Sequence, residues 1–176
     1  MDLMDLLKAT GGGDSIGQLA KTVGLGSSDT SKLVESLAPA LMRGLQKNTT
    51  SDGGLAGLRN ALKSGGHDRY IDDPSLLGAA ETRADGNNIL GHIFGSKDVS
   101  RNVAAAAAKD TGLDSGLIKK ALPLLASLAM GAMSKKTSGG RDIAPSVESG
   151  GLGDLLGKVS GSGGLDDILG LARKFF

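Results

Sequence analysis

The stretch ALPLLASLAMGAM, residues 121–133, is apolar on nearly every side of a helix. Such a helix has no face for water, so it belongs at the centre of a bundle or inside a bilayer. It is well short of the roughly 20 apolar residues that a membrane span needs, which leaves the centre of a bundle. Aromatic residues make up only 2% of the chain against 39% hydrophobic residues, so the core around this helix must be leucine and alanine packed closely. The alanine run at 104–108 supplies a surface that a neighbouring helix can approach.

The whole chain carries 29 glycines, which favour helix ends and turns because they cost backbone entropy inside helices. Leu3, Leu6 and Leu7 share one side of a short helix that Gly11, Gly12 and Gly13 end. Asp14 or Ser15 can cap a helix over 16–23, and Gly24 breaks it. Ser27, Ser28 or Asp29 can cap the next, in which Leu33, Val34, Leu37, Leu41 and Leu45 follow a 3.6-residue period. Pro39 lies inside that pattern, where a kink is expected rather than a break. Residues 48–54 read as a joint, 55–63 as an amphipathic helix, 64–75 as a loop, 76–84 as a brief helix and 85–88 as a turn. Ile89, Leu90, Ile93 and Phe94 then mark a short helix stopped by Gly95. Ser96 or Asp98 caps a helix that runs to Gly112, and the last long helix extends to Lys136. The fold class is all-α: a multi-helical bundle with glycine-bounded helices. Three regions are expected, namely an all-helical core over 1–136, a flexible Gly/Ser linker over 137–150 and a short leucine-rich helical tail over 151–176.

Two parts of the core resemble each other. LAKTVGL at 19–25 parallels AAKDTGL at 107–113, and LAPALMRGL at 37–45 parallels LPLLASLAM at 122–130. The separation from Gly24 to Pro39 exceeds that from Gly112 to Pro123 by about one helical turn, which keeps the proline helix facing the same way. Two helix-turn-helix-like units forming a pseudo-symmetric repeat are therefore expected.

DGNNILGHIFG at 85–95, VAAAAAKDTGL at 103–113 and LPLLASLAMGAM at 122–133 together resemble the bacterial YidB-like family, number 937 among domains of unknown function. The resemblance covers roughly residues 1–134. It implies a soluble, all-helical bacterial protein and no accepted activity, cofactor or catalytic residue.

The residues themselves offer little chemistry. Cysteine is absent, which excludes disulfides, thiolate nucleophiles and cysteine-ligated zinc. His92 has Asn88 and Ser96 one turn away and no second histidine or glutamate in register, so it reads as a packing or capping residue. His67 sits near Asp68, Asp72 and Asp73 without the spacing of a calcium loop, and a solvated loop is expected, anchored by Arg69 through a salt bridge and by Tyr70 through ring packing. Asp72, Glu81 and Asp85 have nothing to fix them as an acid pair. Residues 9–15, ATGGGDS, lack the Gly-Lys-Ser/Thr ending of a phosphate loop. No catalytic, cofactor-binding or metal-binding residue is assigned, no cofactor is expected, and the chain is not expected to be an enzyme.

Net charge is +1, without the basic excess of a nucleic-acid binder. Only 99–136 leans basic, with six basic and two acidic residues. The resulting expectation is a non-enzymatic scaffold or protein-interaction protein, self-associating or binding a protein partner through its C-terminal tail. The first alternative is DNA binding by the helix-turn-helix-like units, against which the apolar helix after Lys119 and Lys120 argues. The second is association with a membrane surface through 165–176, where Ile168, Leu169, Ala172, Phe175 and Phe176 cluster beside Arg173 and Lys174. The acidic, interrupted opening MDLMDLLKATGGGD does not resemble a secretory signal, and a cytoplasmic location is expected, with no transmembrane insertion.

Overall fold

The computed structural model describes residues 3–50 and 53–137. The tail at 151–176 and the linker, apart from Thr137, lie outside the described residues. Among the described residues every regular element is helical: α1 (Leu3–Ala9), α2 (Gly13–Val23), α3 (Ser27–Thr50), α4 (Gly54–Ser64), α5 (Arg69–Asp72), a 3-10 turn (Pro74–Gly78), α6 (Ala80–Phe94), α7 (Lys97–Thr111) and α8 (Ser115–Lys136).

The apolar helix is the axis of the bundle. Every residue of α8 from Ala121 to Ser134 is buried. The length argument made for 121–133 does not extend to the whole helix: α8 has 22 residues and by length and composition is able to cross a membrane, yet 78% of its most apolar window is covered by the rest of the protein, which is how the central helix of a bundle is used. α6 makes the most extensive contact with it, followed by α7, α2 and α5, and α1, α3 and α4 also touch it. α3 lies against α7 and α4 and carries the second half of the core, with Leu33, Val34, Leu37, Leu41 and Leu45 all buried.

Small residues set the closest crossings. A β-carbon at Gly86 of α6 would fall 2.0 Å from the carbonyl oxygen of Pro123 in α8, and one at Gly44 of α3 would fall 2.2 Å from Cγ2 of Ile93. One turn before Gly86 the same pair of helices is tied by Ser127 Oγ, which donates to the Thr82 carbonyl at 3.2 Å. The alanine run behaves as its spacing suggests, with Ala104 and Ala107 buried and Ala105 and Ala106 exposed.

Helix ends follow local chemistry. Gly24, Gly95 and Gly112 stop α2, α6 and α7 with φ of 76°, 73° and 72°, a left-handed conformation that favours glycine. Ser96 accepts from the Val99 N–H to start α7, and Asp114 accepts from Gly116 and Leu117 to start α8. α2 is capped by Gly12, two residues before Asp14 and three before Ser15, with no side-chain bond there. α3 runs for 24 residues through Pro39 without a break. Each of these glycines donates its N–H to the carbonyl four residues back, Gly24 to Ala20, Gly95 to Gly91 and Gly112 to Ala108.

Several sequence expectations need correction. Residues 76–84, read as one brief helix, are divided between the 3-10 turn and the start of α6, with Ala79 extended between them. Residues 85–88, read as a turn, lie in the middle of α6, because Gly86 is needed where α6 crosses α8. Asn48 and the two threonines after it, read as a joint, belong to α3. Residues 64–75, read as a solvated loop, contain the single-turn α5 and bury His67, Tyr70 and Ile71.

Candidate functional site

Three places gather polar or open surface. The first is built on α5. Gly65 and Gly66 turn the chain so that His67 and Tyr70 enter the core with 7% and 1% of their surface exposed. The Tyr70 hydroxyl donates to Asp85 Oδ2 on α6. Arg69 Nη2 donates to the same carboxylate oxygen at 2.9 Å and to the Tyr70 hydroxyl at 2.8 Å, and its guanidinium stands 4.9 Å from the ring centroid. The expected anchoring by Arg69 and Tyr70 is therefore present, although the histidine it accompanies is buried rather than solvated. Lys135 of α8 bridges to Asp72 at the other end of α5.

Burial decides the protonation of this cluster. His67 Nδ1 is buried with no hydrogen-bond partner among the described residues. Desolvation lowers the His67 pKa below its ordinary 6.5, outweighing the opposite pull of Asp85. Desolvation, and then the bond to Asp85, raise that of Tyr70. Both rings are thus held neutral in a packed setting. The hydroxyl and the carboxylate are spent on each other, so this arrangement locks α5 to α6.

The second place is a groove of about 210 Å³ between α3, α4 and α6, with Met130 of α8 also lining it. Leu45, Leu58, Ala61, Ile89 and Ile93 supply apolar walls, and Gly57 leaves one side low. Asn48 secures the rim: its amide donates to the His92 carbonyl at 2.6 Å and to the Gly44 carbonyl at 3.1 Å. The bond reaches His92 by its backbone, while the exposed imidazole stands on the groove's edge.

The third place is an open cleft of about 430 Å³ where the end of α6 meets the starts of α7 and α8, with Leu90, Leu122 and Pro123 in its lining. Lys97, Arg101 and Lys119 line it beside Asn87, and Arg101 is paired with Asp98 at 3.1 Å. This is where part of the basic excess of 99–136 resides. Lys119 and Lys120 are exposed, and the helix is buried from Ala121 to Ser134.

The acids singled out in the sequence are separated by task. Asp85 holds Tyr70 and Arg69, Asp72 holds Lys135, and Glu81 is exposed in the first turn of α6. Among the described residues, no three histidines or carboxylates form a group able to hold a metal ion. The groove was missed in the sequence because its walls come from four separate helices, and no local pattern joins them.

These features define an all-α bundle wrapped on one apolar helix, with glycine at its tightest crossings and an apolar groove on one side. The chain belongs to a bacterial family of proteins of unknown function, DUF937, whose profile matches residues 5–136. No curated protein and no solved structure matches it.

Proposed function

We propose that the protein is a non-enzymatic helical scaffold that binds an apolar helical segment of a protein in the groove between α3, α4 and α6. The groove itself carries this reading: it is walled by leucine, isoleucine and alanine, and its asparagine is engaged with backbone carbonyls. At about 210 Å³ it is smaller than the roughly 300–1,000 Å³ of small-molecule pockets. Apolar anchors of a helix laid in a groove need only such a recess. A DNA reader draws less support, because the helix it would insert into the major groove offers Lys119 and Lys120 and then only buried side chains through Ser134.

The test is a selection from a displayed library of amphipathic helical peptides. The bait is the full chain, alongside a Phe175→Ser/Phe176→Ser chain, because the leucine-rich tail is itself a segment of the kind selected. A Gly57→Leu chain serves as the blocked control. A β-carbon at Gly57 meets nothing within 4 Å and Gly57 lines the groove, so a leucine is tolerated at its β-carbon and stands where it can obstruct the groove. Enrichment of peptides with apolar residues at helical spacing, lost with Gly57→Leu, is the expected result. No enrichment on either unblocked bait would overturn the proposal.

A further inference from the structure

We propose that the occupant of this groove is the chain's own segment 165–176, so that the scaffold carries a built-in competitor for its partner. The inference rests on the reading of the groove given above and adds the identity of the ligand. Two observations favour this segment over a second copy or a foreign helix.

The first is proximity. Met130, which lines the groove, precedes Lys136 at the end of α8 by six residues, about 9 Å of helix. The described chain therefore leaves the bundle close to the groove. The 27 residues between Thr137 and Leu165 span up to about 90 Å when extended, so reach does not limit docking. A tethered segment acts at an effective concentration on the order of millimolar, well above what a second copy reaches in dilute solution.

The second is composition. LDDILGLARKFF places Leu165, Ile168, Leu169 and Ala172 at the i, i+3, i+4, i+7 spacing of one helical face and adds Phe175 and Phe176. Those two are half of the chain's four aromatic residues, and aromatic side chains are effective anchors in apolar recesses.

The experiment uses the full chain. The protein has no cysteine, so Lys174→Cys provides a single attachment point for a nitroxide. Paramagnetic broadening is read at the NMR signals of Ala61, Ile89 and Ile93. Spin-labelled, isotope-labelled chain diluted in excess plain chain is expected to lose most of the intensity at those residues. Spin-labelled plain chain mixed with isotope-labelled chain lacking the nitroxide is expected to lose none. Gly57→Leu in the first sample is expected to restore the signals.

Broadening only in the mixed sample would show a second copy in the groove and overturn the proposal. So would broadening centred elsewhere, no broadening at all, or broadening that survives Gly57→Leu. If the tail is absent from the groove while selected peptides still bind there, the inference fails and the scaffold reading stands. If neither binds, both fail. Where the tail occupies the groove, peptide enrichment is stronger on the Phe175→Ser/Phe176→Ser chain than on the unaltered one.

Discussion

Gly86 lies against the carbonyl of Pro123, so close that a β-carbon would sit 2.0 Å from that oxygen. The contact is backbone to backbone, between the two most extensively paired helices of the bundle. Neither partner can swing aside as a flexible side chain would. Gly86→Ala is therefore expected to cost about 3 kcal/mol or more, because α6 and α8 must separate. Gly91, five residues on in the same helix, has nothing within 4 Å of the equivalent position. Gly91→Ala is expected to stabilise by about 0.5–1 kcal/mol, the difference in helix entropy between the two residues. Paired denaturant titrations check both, and similar midpoints for the two variants would contradict this account of the crossing.

Leu125 is fully buried at the middle of α8. Leu125→Ala should cost about 2–5 kcal/mol through the lost transfer energy and the cavity left behind. Leu125→Asp places a carboxylate where no cation can reach it, and the chain should lose cooperative thermal unfolding. Circular dichroism melts on the two variants read this directly. An unchanged melting temperature for Leu125→Asp would remove α8 from the centre of the fold.

Tyr70→Phe deletes the hydroxyl that donates to Asp85 and accepts from Arg69 while leaving the ring in place. The Arg69–Asp85 ion pair is partly exposed and contributes little by itself. The loss is expected to be about 1 kcal/mol, the net worth of a protein hydrogen bond. The denaturant midpoint should fall without a change in its slope.

Stability should also fall in mild acid because of His67. Its pKa is lowered in the fold by desolvation, so the unfolded chain takes up a proton near pH 6.5 while the folded chain does so only at lower pH. The contribution is fully present above pH 6.5 and is lost as pH falls from there through the folded value. Unfolding free energy measured between pH 8 and pH 5 should decline for the native chain. His67→Gln should flatten that decline, and an unchanged slope in the variant would assign it to other groups.

The parts of this structure that were legible in the sequence are those fixed locally. Gly24, Gly95 and Gly112 stop helices because each supplies a left-handed φ at the end of a periodic run. Residues 121–133 reveal their burial because no side of that helix can face water. What stayed hidden depends on distant partners. Asp85, Gly86, Asn87 and Asn88 are each poor helix formers and read together as a turn. Packing against Pro123 overrides that preference. Tyr70 and Ile71 form only one buried turn among charged neighbours, too short for any periodicity to show. The groove has no signature of its own, since Leu45, Leu58, Ile89 and Met130 become neighbours only when four helices pack.

The central claim is that the groove receives an apolar helical segment, and amide-shift mapping by NMR tests it most directly. The sample is the Phe175→Ser/Phe176→Ser chain, titrated with the best peptide from the selection. Shifts concentrated at Leu45, Asn48, Leu58, Ala61, Ile89 and Ile93, and absent with Gly57→Leu, are the predicted result. Shifts centred on Lys97, Arg101 and Lys119, with the groove unmoved, would contradict it.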